Sequence, residues 1–242
     1  MIIDKNINSL QEIDFTQGHV ILINKPLDWT SFDIVNKIRY LIRNKYSIKK
    51  IKVGHGGTLD PLATGVVVVG VAKETKNLAN YQNEQKQYIA EITFGKTTAS
   101  YDLETPLEGD YTTSHITEEL INSVLLQKFT GEINQIPPIF SAKSIDGVRA
   151  YESARKGVNV EMKTQQVVIY ESKLLSYENN KAVVVISCSK GTYIRSIAHD
   201  LGKELQSGAH LSALQRTKSG GFAIENCLQI SEFETLMAQV AV

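Results

Sequence analysis

The chain has 242 residues, 42% hydrophobic and 21% charged, a make-up that suits a globular protein with a sizeable core. Lys and Arg number 26, as do Asp and Glu, which excludes a uniformly basic nucleic-acid binder and leaves only one with a local cationic face. The longest apolar run, Val66 to Ala72, is too short to cross a bilayer, and the first twenty residues carry Asp4, Glu12 and Asp14 where a signal peptide would be apolar.

Residues 1–17 show no regular pattern and read as a loosely held N-terminal tail before a domain spanning 18–242. Val20-Ile21-Leu22-Ile23 predicts a strand over His19–Asn24, stopped by Lys25-Pro26. Thr30 or Ser31 then caps a helix. Its apolar positions Phe32, Val35, Ile38, Leu41 and Ile42 follow helical spacing, and Lys37, Arg39 and Arg43 occupy the other face. With Lys45, Lys49, Lys50 and Lys52 this segment carries one acid, Asp33. It reads either as a solvated face or as a contact for phosphates.

The stretch from Gly54 to Gly65, Gly-His-Gly-Gly-Thr-Leu-Asp-Pro-Leu-Ala-Thr-Gly, sets a single acid, Asp60, among glycines and just before a proline. Proline restricts the residue before it to extended conformations, so Asp60 is held on a stiff turn. A run of valines, Val66 to Val69, follows as a buried strand. The loop lacks the Gly-Lys-Ser/Thr ending of a phosphate loop. A short helix is expected near Thr75–Tyr81. Gln87–Gly95 alternates, with Tyr88, Ala90, Ile92 and Phe94 on one face, and predicts a half-buried strand.

Asp102 to Asp110 is acidic and reads as a loop. Thr117 opens a helix with Leu120, Ile121, Val124, Leu125 and Phe129 on one side, closed by Gly131. Pro137 and Pro138 rule out a central strand over Ile136–Lys143. A short helix is expected over Gly147–Gly157. Val167–Tyr177 and Ala182–Ser189 are strands. Ser189-Lys190-Gly191-Thr192-Tyr193-Ile194-Arg195 then turns into a helix with Ile194, Ile197, Ala198, Leu201 and Leu205 as its stripe, ended by Gly208. Arg195 in a first turn meets an unfavourable helix dipole, which calls for a carboxylate partner. Ser231 and Glu234 form a capping box for a last helix. Cys188 and Cys227 lie in no paired motif, so the reading is a reduced, cytoplasmic protein without a disulfide framework or zinc site.

From the residues alone, an acid on a rigid turn, an arginine on a second turn, two tyrosines and a basic helix suit covalent or acid–base chemistry without a cofactor. A carboxylate-based hydrolase usually employs paired acids, and the core motif offers one. A non-catalytic RNA-binding module is the other alternative.

The segments are more specific than their composition. The Gly54–Gly65 loop, Asn24-Lys25-Pro26 through Trp29-Thr30-Ser31, the Pro137-Pro138 stretch, Ser189 to Arg195 and Gly208 to Thr217 resemble segments of the tRNA pseudouridine synthase B family. The resemblance runs from about Val20 to Glu232. It departs at Gly56, where a small side chain is more usual, and at Gln215-Arg216, where two arginines are usual. It implies an α+β fold with a mixed, mostly antiparallel central sheet flanked by helices and an active-site cleft across it. It implies isomerisation of a uridine in the tRNA T-loop, at position 55, by a cytoplasmic monomer needing neither metal nor cofactor. Asp60 is then the nucleophile and Arg195 its partner, while Tyr88 stacks on the target base and assists a proton transfer. His55 reaches into the T-loop, and Tyr193 and Leu214 line the base pocket. The family usually continues into a C-terminal RNA-binding domain of the PUA type, and a form lacking it is expected here.

Overall fold

Strands carry most of the architecture of the computed structural model, which describes residues 1–141, 144–145, 148–149 and 162–241. In chain order they contain β1 (Ile2–Ile3), β2 (His19–Lys25), α1 (Ser31–Lys45), β3 (Val53–His55), β4 (Ala63–Val71), a 3-10 turn (Ala72–Asn77) and α2 (Leu78–Asn83). Next come β5 (Lys86–Phe94), β6 (Thr97–Thr98), β7 (Leu107–Glu108), α3 (Glu118–Lys128), β8 (Gly131–Gln135), β9 (Ser144–Ile145) and β10 (Val148–Arg149). The chain then runs through β11 (Gln165–Glu178), β12 (Lys181–Cys188), α4 (Ile194–Glu204), β13 (Ala209–Ser219), β14 (Phe222–Ala223) and α5 (Ile230–Gln239). This is the expected α+β class, with a mixed and mainly antiparallel sheet. The helix expected over Gly147–Gly157 lies outside the described residues, apart from Val148–Arg149.

The chain divides into two compact units, Met1–Tyr88 with Gln215–Val242, and Ile89–Leu214. In the first, β2 runs antiparallel to β4 over its full length, from His19 opposite Val71 to Lys25 opposite Gly65. Val20, Leu22, Val66, Val68 and Cys227 form one buried cluster, with Tyr81, Phe222 and Ile224 packed against it. Helix α1 packs on β2, β3 and α5. Thr30 is its N-cap, in a capping box with Asp33. Its buried stripe is Ser31, Ile34, Val35, Ile38 and Ile42. Phe32, expected inside, is 59% exposed: the helical face is set by the 31–34/35–38–42 series, and Phe32 lies about 100° round from Ser31.

Residues 1–17 are not loosely held. Ile2 and Ile3 pair in parallel with Val20 and Ile21. Ile3, Leu10 and Phe15 are fully buried, Phe15 meets His19 and Tyr46 edge-on, and the Tyr46 hydroxyl donates to the Leu10 carbonyl. An irregular segment buries its apolar residues one at a time, leaving no periodicity to read. The final capping box is also displaced. Gln229 is the N-cap and Glu232 its partner, with the Gln229 N–H donating to Glu232 Oε2 at 2.7 Å, whereas Glu234 pairs with Lys37.

In the second unit the sheet order is β5-β12-β11-β8, with β11 antiparallel to both β12 and β8. Strand β5 alternates as expected, burying Tyr88, Ala90, Ile92 and Phe94. Thr117 caps α3 through the Leu120 N–H, and α3 packs on β11 and α4. Among the described residues, no helix is long and apolar enough to cross a membrane.

Candidate active site

The first unit holds the Asp60 turn. Asp60 accepts from the Ala63 N–H at 3.0 Å through its carbonyl, a β-turn with Pro61 at the position where a fixed φ suits it. The neighbouring Leu59 is buried. The Leu59 N–H donates to Ser31 Oγ at 2.8 Å, and that hydroxyl donates back to the Leu59 carbonyl at 3.3 Å. The first residue of α1 is thereby tied to the turn. A β-carbon at Gly56 would overlap the Tyr81 β-carbon, so the departure at this position lets α2 approach the loop closely. Gly65 has φ +111°, and a β-carbon there would run into the Arg216 backbone; only glycine meets both demands cheaply.

Two buried cations brace this loop. Lys25 has no exposed surface, and its ammonium donates to the carbonyls of Pro26 at 2.9 Å, Trp29 at 2.5 Å and Pro61 at 3.2 Å. Arg216, 2% exposed, donates from Nε to the Val66 carbonyl at 2.7 Å. Its Nη1 and Nη2 reach the carbonyls of Thr58 at 3.2 Å and Gly57 at 3.1 Å. Burial pushes the Lys25 pKa down to about 8, against the opposing attraction of Asp60 and then Asp28. Asp60 is the acid that acts most strongly on this buried cation. His55 ends β3; burial, then Arg216, push its pKa down. Tyr88 is 9% exposed on the buried face of β5. Two residues earlier, Lys86 gathers the carbonyls of Tyr81, Gln82 and Glu84 at the end of α2, fixing the entry of this strand.

The second unit holds Arg195, Tyr193 and Leu214. Gly191, at φ +79°, makes the tight turn after β12, and Tyr193 is the N-cap of α4. Gln135 clamps that cap from both sides: its Nε2 donates to the Tyr193 carbonyl at 3.0 Å and its Oε1 accepts from the Tyr193 N–H at 2.8 Å. Arg195 is 5% exposed. Its Nη1 donates to the carbonyls of Phe140 at 2.9 Å and Ser100 at 3.3 Å, and its Nε lies 3.6 Å from Asp102 Oδ2. Leu214 is half-buried on β13. The six predicted residues thus fall as His55, Asp60 and Tyr88 in one unit and Tyr193, Arg195 and Leu214 in the other.

Sequence reading missed the bracing role of Lys25 and Arg216 and the burial of Asp102, which reads there as one acid of a solvated loop. The signals were present but weak: a lysine closing an apolar strand, and an arginine inside a strand. The basic segment resolves into two parts. Lys37 pairs with Glu234 and Arg39 donates to Asn36 and the Val53 carbonyl, so these cations serve the fold. Lys50 and Lys52, together with Lys73 and Lys76, line an open cleft beside the 3-10 turn.

Residues 43–194 match the family described as TruB family pseudouridylate synthase (N terminal domain), and residues 195–241 match the tRNA pseudouridylate synthase B C-terminal domain. The tRNA pseudouridine synthase B of Phocaeicola vulgatus is 49% identical over 227 residues, covering 94% of this chain and 96% of the relative. That of Flavobacterium johnsoniae is 46% identical over 222 residues, covering 91% and 96%. Among solved structures, a chain of a Cbf5-Nop10-Gar1 complex superposes with a TM-score of 0.68 at 27% identity, over 96% of this chain. This chain spans 61% of that one.

Proposed function

The chain belongs to the TruB family of pseudouridylate synthases, and on that premise we propose that it converts the uridine at position 55 of the tRNA T-loop into pseudouridine, as a cytoplasmic monomer. The observation that carries this reading is the Asp60 turn, gripped through backbone carbonyls by Lys25 on one side and Arg216 on the other. A reacting group must be held to within a fraction of an ångström, and buried side chains with locked rotamers do this best.

The reaction breaks the uridine N1–C1′ bond, rotates the uracil and joins C5 to C1′. The hydrogen on C5 leaves as a proton and N1 gains one, so no electrons are exchanged and the balance needs no redox partner. Asp60, as a carboxylate, is the nucleophile toward C1′ or C6. Extruding the uridine costs a few kcal/mol, and stacking on Tyr88 returns roughly 1–3 kcal/mol of that. Tyr88 also assists the proton transfer. In this reading Arg195, held in its own unit by Ser100, Phe140 and Asp102, supports the Asp60 carboxylate during the reaction, His55 takes space in the T-loop, and Tyr193 and Leu214 flank the base. Lys50 and Lys52, with Lys73 and Lys76, meet phosphates and set position rather than sequence.

A tRNA transcript carrying tritium at uridine C5 tests this directly. Isomerisation releases one tritium to water for each pseudouridine formed. A hydrolase would release free uracil, and a binding module would release neither, so either of those outcomes replaces the proposal.

A further inference from the structure

The loop that holds Arg195 contains a strained residue. Ser100 gives its carbonyl to the guanidinium and Asp102 gives its carboxylate. Between them, Tyr101 sits at φ +66°, a left-handed conformation that costs free energy for any residue bearing a β-carbon. The loop persists because it is tied at several points. The Tyr101 N–H donates to the Thr98 carbonyl at 3.3 Å, and its carbonyl accepts from the Leu211 N–H at 2.9 Å. The Thr98 and Ser100 hydroxyls donate to the Asp102 carbonyl at 2.6 and 3.2 Å. Asp102 Oδ1 accepts from the Glu104 N–H at 2.9 Å, so the carboxylate cannot swing freely.

A ring contact joins this loop to the helix that carries Arg195. The Tyr101 ring lies flat on the His199 imidazole, with centroids 3.9 Å apart and planes 13° from parallel. His199 follows Arg195 by four residues on α4, so the two side chains lie on the same helix face, one turn apart. His199 Nδ1 is buried without a hydrogen-bond partner. The contact the ring makes with the loop is through its flat face. Burial, then Lys203, push its pKa down, consistent with a neutral ring in the stack.

We propose that the Tyr101–His199 stack is a positioning clamp for Arg195, closing the 98–105 loop on α4 so that Ser100 and Asp102 fix the guanidinium. The proposal rests on Arg195 acting at the reacting uridine. Tyr101 and His199 touch neither the base nor Asp60 in this scheme; they act through Arg195.

The test is kcat and KM on a T-loop transcript for Tyr101→Gly, Tyr101→Phe, His199→Ala and Arg195→Met, with urea unfolding of each. Glycine accepts φ +66° without strain and alanine is a strong helix former, so both clamp-breaking variants can fold. Each should lower kcat about tenfold with KM within about twofold. Tyr101→Phe, which keeps the ring, should retain most of the rate. In an Arg195→Met background, neither change should cost anything further, because the paths converge on one guanidinium. Wild-type kcat in Tyr101→Gly and His199→Ala, alongside an Arg195→Met whose rate is strongly lowered but still measurable, overturns the clamp and leaves the role of Arg195 standing. A rate loss that only tracks the unfolded fraction overturns it too. An Arg195→Met protein with the wild-type rate overturns both.

Discussion

Replacing Arg216 by Met keeps the apolar stem and removes all three of its hydrogen bonds. The Val66 carbonyl belongs to a fully buried residue, and losing its donor there costs about 1–3 kcal/mol. The Gly57 and Thr58 carbonyls lie nearer the surface, where water can replace the donor at a cost of about 0.5–1.5 kcal/mol each. The whole loss is roughly 2–6 kcal/mol, a large part of the roughly 5–15 kcal/mol typical of a folded domain. Urea unfolding followed by circular dichroism measures it. Arg216→Lys should recover only part, since a single ammonium nitrogen cannot stand at the separate positions of Nε, Nη1 and Nη2. Turnover, measured where each variant is fully folded, should fall as well, because the Asp60 turn then loses one of its two cationic braces. If Arg216→Met unfolds within about 0.5 kcal/mol of the parent, the range of an ordinary surface change, and turns over at the same rate, the bracing argument is wrong.

Further expectations concern charge. Lys25 has a folded pKa of about 8 against an ordinary 10.5. At this site the unfolded chain therefore binds more protons between those values, so Lys25 by itself contributes stability that rises with pH across that window as the buried ammonium is neutralised. Lys25→Met should abolish that rise between about pH 8 and 10 in urea midpoints; an unchanged profile would mean Lys25 is not the titrating group. Changing Lys49, Lys50 and Lys52 to Ala should weaken tRNA binding and reduce its log–log salt slope by about 0.7–0.9 for every phosphate that is no longer neutralised. An unaltered slope would remove this segment from the RNA-binding face.

Much of the framework was legible because its signals are local. The Thr30 and Thr117 caps, the alternation from Tyr88 to Phe94, and the strand–glycine–helix passage into Arg195 all depend on residues within one or two turns of each other. What was not legible depends on partners far along the chain. The Arg216 side chain matters because it meets carbonyls 150 and more residues earlier, and a strand pattern says nothing of such a match. Asp102 reads as a solvated acid among acids until Arg195 is set beside it. Leu10 and Phe15 carry no period, so their burial in the first unit has no signature. The Gln229–Glu232 box escaped because glutamine is an uncommon N-cap, and the Ser231–Glu234 spacing offered a more usual one.

The role of Asp60 is tested by position-resolved pseudouridine mapping on a tRNA transcript treated with the wild-type enzyme and with Asp60→Asn. The substitution keeps the shape of the side chain and removes the nucleophile. Pseudouridine should appear at the T-loop uridine with the wild type and not with Asp60→Asn, while the variant still binds the transcript within about tenfold, ~1.4 kcal/mol. Turnover by an Asp60→Asn protein verified free of wild type and of deamidation to Asp, or no T-loop pseudouridine from the wild type, would contradict it.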